Sequence, residues 1–288
     1  MESSQTLRLK SGRTLGYAEW GDPSGYPLFH FHGSSSSRLE RPVQPEALAG
    51  VRLVTIDRPG HGLSDYQPNR ILLDWPEDVA ALADHLGFGR FAVSGWSFGG
   101  PYALVCAYRI PERVTAAGLI SSAGPHDRPG ATAGMDRTNK VALAMARRMP
   151  WAVNRQLLRL MGRMFTKDPE GTARRRFASM PAADQQALGD RPATDMLIAS
   201  MAESFRAGSD GSAWELRLMT HSWGFHLQDI AVPVALWHGD VDINSPIATA
   251  AYLSDTIPDA SLTVLPGEGH FLILKRWGEI IRQLTLAT

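Results

Sequence analysis

The sequence predicts an α/β fold in which a mostly parallel sheet of eight strands is flanked by helices and interrupted by a helical insertion. Three observations support this. Short apolar runs alternate with helical patterns up to about residue 124. The stretch 125–228 has helical patterns and little strand signal, and the alternation then resumes. We therefore expect a core formed by residues 1–124 and 229–288, with the insertion at 125–228.

The individual elements follow from local patterns. Two β-prone runs around Ser11 and Gly12 predict an opening hairpin, and the later apolar runs predict buried strands. The predicted strands are 6–10, 13–20, 27–32, 51–57, 90–95, 114–124, 232–239 and 260–265. Helices are expected at about 39–48, 98–109 and 246–254, and from about His270 onward. A further helix begins near Asp74 as N-cap and ends at Gly87 as C-cap.

The composition of the chain limits the classes of function that it can have. The 288 residues are 44% hydrophobic and 20% charged, which suits one large folded domain. The 29 basic and 29 acidic residues give a net charge of zero, so no global field favours nucleic acid or an anionic membrane. The single Cys106 excludes an intrachain disulfide and suits a reducing compartment. The first residues lack an apolar targeting segment, and no stretch of 18 apolar residues follows.

These features predict a cytoplasmic protein without membrane insertion or nucleic-acid binding. Its expected partner is a small-molecule substrate, and it is expected to act as a monomer or homodimer. No His, Cys or carboxylate cluster has metal-ligand spacing, so we expect no metal and no cofactor. The insertion is locally basic, with thirteen Arg and two Lys against ten Asp and Glu.

The strongest chemical signal is a G-x-S-x-G motif, Gly95-Trp96-Ser97-Phe98-Gly99 in "FAVSGWSFGGPYAL". An apolar strand precedes it and a helix-forming run follows it, which is the context that a strained nucleophile turn requires. Small residues on either side leave room for the crowded backbone. Ser97 is therefore the candidate nucleophile.

A serine hydroxyl is a weak nucleophile at neutral pH and needs a base that is oriented by an acid. "LPGEGHFLI" places His270 late in the chain, after the last predicted strand. "LWHGDVDINSP" offers two acids, Asp240 and Asp242, at the end of the preceding strand. The chain order is then Ser, Asp, His. His32, His61 and His238 each precede a glycine at a strand end or turn and are expected to orient loops, and the other five histidines have no motif.

The sequence resembles the alpha/beta-hydrolase fold superfamily, in the capped branch that contains proline iminopeptidases, epoxide hydrolases, haloalkane dehalogenases and esterases. The resemblance covers nearly the whole chain outside 125–228. It rests on "HGSSSS", "DRPGHGLSD", "GWSFGG", "HGDVDINSP" and "GEGHF" in their order and spacing. It implies that the acid is the aspartate of a G-x-x-D, which is Asp242, and that the insertion folds over the site as a cap.

The same resemblance implies an oxyanion hole made of two backbone N–H groups. One belongs to Phe98, which follows the nucleophile, and the other to Ser34, in the loop after the third strand. The four serines 34–37 are then part of the site and not a flexible linker, with Arg38 as an anchor. Gly33 and Trp96 are expected to contact substrate. The roles of Ser35, Ser36 and Ser37 stay open.

The expected function is a serine hydrolase that cleaves a small to medium, largely apolar carboxylic ester through an acyl-enzyme on Ser97. A serine nucleophile disfavours epoxide hydrolase and haloalkane dehalogenase activity, since those relatives use aspartate. The loop "HGSSSS" departs from the Gly-Gly-Pro-Gly of proline iminopeptidases, which disfavours that aminopeptidase activity. Carbon–carbon bond, lactone and thioester hydrolysis remain open. A hydroxynitrile lyase on the same triad and a ligand receptor are further alternatives.

Overall fold

The computed structural model describes residues 4–286, and its strands form one eight-stranded sheet in the order β1-β2-β4-β3-β5-β6-β7-β8. The strands are β1 (Gln5–Arg8), β2 (Thr14–Gly21), β3 (Tyr26–Phe31), β4 (Val51–Ile56), β5 (Phe91–Trp96), β6 (Val114–Ile120), β7 (Val234–Gly239) and β8 (Ala260–Leu265). Strand β2 pairs antiparallel with β1 and β4, and all other pairs are parallel. The predicted α/β fold with a mostly parallel eight-stranded sheet is confirmed.

Helices cover both faces of the sheet and fill the segment between β6 and β7. They are α1 (Trp75–His85), α2 (Gly99–Arg109), α3 (Arg137–Arg148), α4 (Trp151–Lys167), α5 (Pro169–Phe177), α6 (Ala182–Ala187), α7 (Arg191–Ser204), α8 (Asp210–Met219), α9 (Ile247–Thr256) and α10 (Ile273–Leu286). Helices α3 to α8 lie within the predicted insertion. None of the helices in residues 4–286 has the length and apolar character needed to cross a membrane.

Alternating side chains of the central strands form two cores, one on each face of the sheet. Phe29, Val54 and Val93 face the core that includes α1, α2 and α9. Leu28 and Leu53, each one residue earlier along its strand, face the core that includes α10. Insertion residues join this second core, among them Phe165, Phe177, Met196, Met201 and Phe205. Met219, Trp223 and Leu227, near the C-terminal end of the insertion, join the first core instead. Apolar burial therefore packs the insertion against both cores.

The prediction of a helix at 39–48 is wrong. Only a single 3₁₀ turn, Pro45–Leu48, forms in this segment. Pro42 and Pro45 lack the N–H that a helix needs and disfavour helical backbone at the residue before each of them. The side chains of Arg38 and Glu40 are instead buried, where they contact Asp57 and His30.

Two predicted helix ends also differ in detail. Asp74 does precede α1, but its carboxylate accepts a hydrogen bond from the Ile71 N–H (2.9 Å) of the preceding 3₁₀ turn. Gly87 follows α1 at φ +77°, the left-handed conformation that commonly ends a helix. The last helix begins at Ile273, three residues after His270.

The end of β5 lies unusually close to the start of α2. A Cβ atom at Gly95 would come within 3.0 Å of the backbone of Gly99 and Gly100. A Cβ at Gly99 would meet the backbone of Phe31 and His32 at similarly short range. Glycine at these positions therefore allows the strand, the helix and the loop after β3 to converge on Ser97.

We expect Gly95→Ala to lower the free energy of unfolding by about 1–3 kcal/mol or more, because its Cβ meets backbone that cannot move aside. The measurement is urea unfolding followed by circular dichroism. Gly89→Ala is the control, since a Cβ there meets nothing within 4 Å. It is expected to change the same quantity by less than about 0.5 kcal/mol. Equal effects of the two substitutions would contradict the crowding.

Candidate active site

Ser97 occupies the turn between β5 and α2 with a φ of +55°, a conformation that is uncommon for a residue with a side chain. The turn places its hydroxyl at the carboxyl edge of the sheet, where β3, β5, β6 and β7 all end. Oγ of Ser97 lies 3.0 Å from Nε2 of His270. The G-x-S-x-G serine and the late histidine, which are 173 residues apart in the chain, are thus in hydrogen-bond contact.

Asp242 completes a line of three polar groups. Its Oδ2 lies 2.8 Å from Nδ1 of His270. Its Oδ1 accepts hydrogen bonds from the N–H groups of Asn244 (2.8 Å) and Ser245 (2.9 Å), which fix the carboxylate. Because a carboxylate only accepts, Nδ1 carries the histidine proton and Nε2 is left to accept from the serine hydroxyl.

Asp240, the other candidate acid, points elsewhere. Its carboxylate accepts a hydrogen bond from the Gly267 N–H at 2.7 Å, at the surface of the loop before His270. The structure therefore brings Ser97, Asp242 and His270 together and leaves Asp240 outside the group.

The environment of His270 makes it a better base. Burial lowers its pKa, but the charge of Asp242 and the hydrogen bond to it more than offset this, so the pKa of His270 is raised above its usual value. The pKa values of three other buried histidines are lowered instead. Burial lowers the pKa of His61 to about 4, and it also lowers the pKa of His32 and His238. These three side chains are uncharged at neutral pH.

The two backbone N–H groups predicted for an oxyanion hole belong to Phe98, which follows Ser97, and to Ser34, in the loop after β3. Within the described part of the chain, neither the Ser34 N–H nor the Phe98 N–H donates to another protein group. The loop that carries Ser34 is fixed from one side by Glu40, whose carboxylate accepts from the Gly33 N–H at 3.1 and 3.2 Å. Glu40 in turn contacts Nε2 of His30 at 2.9 Å.

The remaining serines of the run contact the insertion. Ser36 Oγ lies 2.8 Å from Oγ of Ser200 on α7. The Ser37 N–H donates to the same oxygen at 3.0 Å, and Ser200 donates to the Ser37 carbonyl at 3.2 Å. Ser35 has a φ of +51°, which turns the loop between Ser34 and these contacts. Arg38 is anchored in turn by Asp57 and Glu203, each at 2.8 Å.

Gly33 and Trp96 pack against each other beneath the site. The indole of Trp96 donates to the His270 carbonyl at 3.0 Å, and its ring centroid lies 5.5 Å from that of His270. A Cβ at Gly33 would come within 3.0 Å of the indole. Both residues are buried. Their predicted contact with substrate stays a prediction, and in the structure they support the loops of His270 and Ser34.

Sequence reasoning missed Asp184, on α6 of the insertion. This buried carboxylate accepts from the Phe271 N–H at 3.0 Å and faces Gly269, so α6 rests directly on the histidine loop. Burial raises the pKa of Asp184. The segment "PAADQQ" has no motif, and only the folded chain brings it to His270. Among residues 4–286, no three His, Cys, Asp or Glu side chains are grouped to hold a metal ion.

The chain is similar to proteins of a known family. A family model described as the alpha/beta hydrolase fold matches residues 26–276. The chain belongs to the alpha/beta hydrolase fold family. It is similar to a pimeloyl-[acyl-carrier protein] methyl ester esterase of Aromatoleum aromaticum, at 30% identity over 79% of this chain and 84% of that protein. The protein of that name in Nitrosomonas europaea is 27% identical over 76% and 78%.

A solved esterase from Thermogutta terrifontis shares the fold of this alpha/beta hydrolase. Its TM-score is 0.70 at 19% sequence identity, covering 98% of each chain. The family and its curated relatives identify this chain as an esterase-type serine hydrolase.

We expect Asp242→Asn to lower kcat for ester hydrolysis by about 10⁴-fold, since an amide stabilises the wrong histidine tautomer. We also expect any residual activity to titrate at lower pH, because the raised pKa of His270 depends on the Asp242 charge. The wild-type activity should fall as pH drops through a value above the ordinary histidine pKa of about 6.5.

The measurement is kcat/KM against pH for wild type, Asp242→Asn and Asp240→Asn. Asp240→Asn is the matched control and is expected to keep both the rate and the pH profile. A large loss in Asp240→Asn with little in Asp242→Asn would reverse the assignment of the acid.

Proposed function

We propose that this alpha/beta hydrolase is a carboxylesterase that forms an acyl-enzyme on Ser97. The observation that carries the proposal is the continuous contact from Asp242 through His270 to Ser97, at 2.8 and 3.0 Å. His270 takes the proton of the Ser97 hydroxyl as Oγ attacks the ester carbonyl. It then gives that proton to the leaving alcohol, and in the second half it activates a water that releases the acid.

The proposed oxyanion donors are the N–H groups of Ser34 and Phe98. As the ester carbonyl becomes tetrahedral, its oxygen gains negative charge and needs donors that are already in place. Each such donor contributes about 2.7–4 kcal/mol to catalysis. The lack of any protein acceptor for either N–H in residues 4–286 supports this role.

We propose that residues 125–228 act as a cap over the site, with residues 1–124 and 229–288 as the core. Three insertion helices support this, because α6 contacts the His270 loop, α7 contacts Ser36 and Ser37, and α8 contacts Arg58. Such a cap excludes water and shapes the acyl pocket. A small to medium apolar acyl group suits a site backed by Trp96 and Phe271.

The proposal is tested by hydrolysis of p-nitrophenyl esters from acetate to dodecanoate, with wild type beside Ser97→Ala. We expect turnover by wild type, with a chain-length optimum that reports the size of the acyl pocket. We expect a loss of several orders of magnitude in kcat for Ser97→Ala. A burst of p-nitrophenol at high enzyme concentration indicates an acyl-enzyme and separates a hydrolase from a lyase.

Wild type that is inert on every ester while an organophosphonate still labels Ser97 would contradict the substrate class and not the site. Thioester, lactone, carbon–carbon and cyanohydrin substrates would then be tested in the same way.

A second candidate is a methyl ester on an acyl chain that is attached to an anionic carrier. The names of the two similar esterases described above specify a methyl ester of an acyl chain on a carrier protein. A surface cavity of about 220 Å³ on the insertion is lined by Arg128, Lys140, Arg147 and Arg148. Within the described residues, no carboxylate lies within ion-pair distance of these four cations. Unpaired cations around a cavity favour an anionic ligand.

We expect Arg147→Gln with Arg148→Gln to raise KM for a pimeloyl-carrier methyl ester about tenfold, which corresponds to 1.4 kcal/mol. KM for p-nitrophenyl butanoate should not change. Arg174→Gln with Arg175→Gln is the control, because those exposed side chains already face Glu170 and Asp168. Equal KM values in all three proteins would rule out this carrier site.

A further inference from the structure

The motif "DRPGHGLSD" contains a buried arginine that the proposed reaction does not use. Arg58 follows β4 and forms a two-point ion pair with Glu215 of α8, with Nε to Oε1 at 2.5 Å and Nη2 to Oε2 at 2.9 Å. Both side chains are at most 1% exposed. Arg58 thus links the core to the insertion through a pair of buried charges.

The same guanidinium contacts the loop that carries Ser34. Its Nη1 donates to the carbonyl of His32, and its Nη2 donates to the carbonyl of Gly33 at 3.0 Å. The Gly33 carbonyl and the Ser34 N–H belong to one peptide unit. Because that unit is planar and trans, its C=O and N–H point in opposite directions. Nδ1 of His32 also contacts the Gly33 oxygen, at 2.8 Å, so the two side chains hold this oxygen together. The Ser34 N–H is therefore turned away from Arg58.

The hydrogen bond from Arg58 to the Gly33 carbonyl also affects how strongly the Ser34 N–H donates. A hydrogen bond from a cation to a peptide oxygen polarises that peptide and strengthens its N–H as a donor, since linked hydrogen bonds reinforce one another. Arg58 keeps its charge, because Glu215 more than offsets the effect of burial and raises the pKa of Arg58. The Tyr102 ring lies 4.7 Å from the guanidinium carbon and covers its face.

Two further basic side chains lie close to the Glu215 carboxylate. Glu215 also faces Arg70 at 3.8 Å and His61 at 3.9 Å. Burial raises the pKa of Glu215, but Arg58, His61 and Arg70 more than offset this and leave it lowered. His32 and His61 have lowered pKa values, so neither competes with Arg58 as a cation at neutral pH.

We propose that Arg58 is a positioning residue that aims the Ser34 N–H into the oxyanion hole, and that Glu215 of the insertion holds Arg58 in place. The inference rests on the proposed function, since it assigns a positioning role for the oxyanion on Ser97. Helix α8 then helps to position the Ser34 N–H in addition to covering the site.

The test uses Arg58→Lys and Glu215→Asp in the full chain. Lysine keeps the charge but cannot reach two carbonyls and a carboxylate in one plane. Glu215→Asp keeps the negative charge but shortens the side chain by one methylene, which moves the carboxylate away from Arg58. Because the charge is kept, the fold is better preserved than with a neutral residue. In both variants we expect kcat for p-nitrophenyl butanoate to fall about 10- to 100-fold, while KM stays within about threefold; loss of a whole oxyanion donor costs about 10²–10³.

A second readout separates positioning from general loosening. Phenylboronic acid forms a tetrahedral adduct on Ser97 that places an oxygen in the oxyanion hole, so its inhibition constant should rise by the same factor as kcat falls. Glu203→Gln is the matched control. Glu203 also joins the insertion to a buried arginine, Arg38, but contacts no carbonyl of the Ser34 loop. It is expected to keep both kcat and the inhibition constant.

Rates are normalised to the number of sites labelled by an organophosphonate at its end point, so that unfolded protein does not count. Retention of kcat and of boronate affinity within twofold in either folded variant would overturn the inference. So would an equal loss in Glu203→Gln. Failure of the proposed function is distinct from both, because wild type would then show no esterase activity that depends on Ser97.

Discussion

The backbone conformation of Ser97 is the constraint on which the rest of the site depends. A left-handed residue with a side chain costs roughly 1–2 kcal/mol, so neighbouring groups must hold it. The Ser97 N–H donates to the Ile120 carbonyl at 2.9 Å, and the Ser97 carbonyl accepts from Gly100 at 3.1 Å and Ala123 at 3.0 Å. Strand β6 and the loop after it thereby fix the turn that presents the hydroxyl to His270. The hydroxyl is positioned by backbone hydrogen bonds before any substrate arrives.

Three buried polar contacts join the insertion to loops near Ser97 and His270. Asp184 accepts from Phe271, Ser200 contacts Ser36 and Ser37, and Glu215 pairs with Arg58. Each contact is buried, so separating the insertion from the core would leave polar or charged groups unpaired, at about 1–3 kcal/mol for a neutral group and more for a charge. Apolar packing of the insertion on the sheet adds to this. The core and the insertion are therefore coupled at the residues that surround Ser97.

The sequence predicted the features that depend on residues close together in the chain. The alternation of apolar runs predicted all eight strands, and the glycines around Ser97 predicted the tight turn, because both depend on neighbours in the chain. The prediction of a helix at 39–48 was wrong, since two prolines disfavour it and the side chains of Arg38 and Glu40 are buried. Contacts such as Arg58 with Glu215, 157 residues apart, could not be predicted. Nothing in "AWELRLM" distinguishes a buried Glu215 from a solvated one until helix α8 is placed against the loop that follows β4.

His270, the proposed base, is one of four buried histidines whose pKa is shifted by the environment. His32, His61, His238 and His270 lie at one edge of the sheet, and burial alone lowers the pKa of each. Asp242 lies 2.8 Å from His270 and 3.6 Å from His238. His238 donates to the Ser245 carbonyl at 2.6 Å, and burial outweighs the raising effects of this bond and of the Asp242 charge, so the pKa of His238 is lowered. Of these four, only His270, which contacts Asp242 directly, has a raised pKa. A single buried carboxylate, and not burial itself, therefore selects the one histidine that faces Ser97.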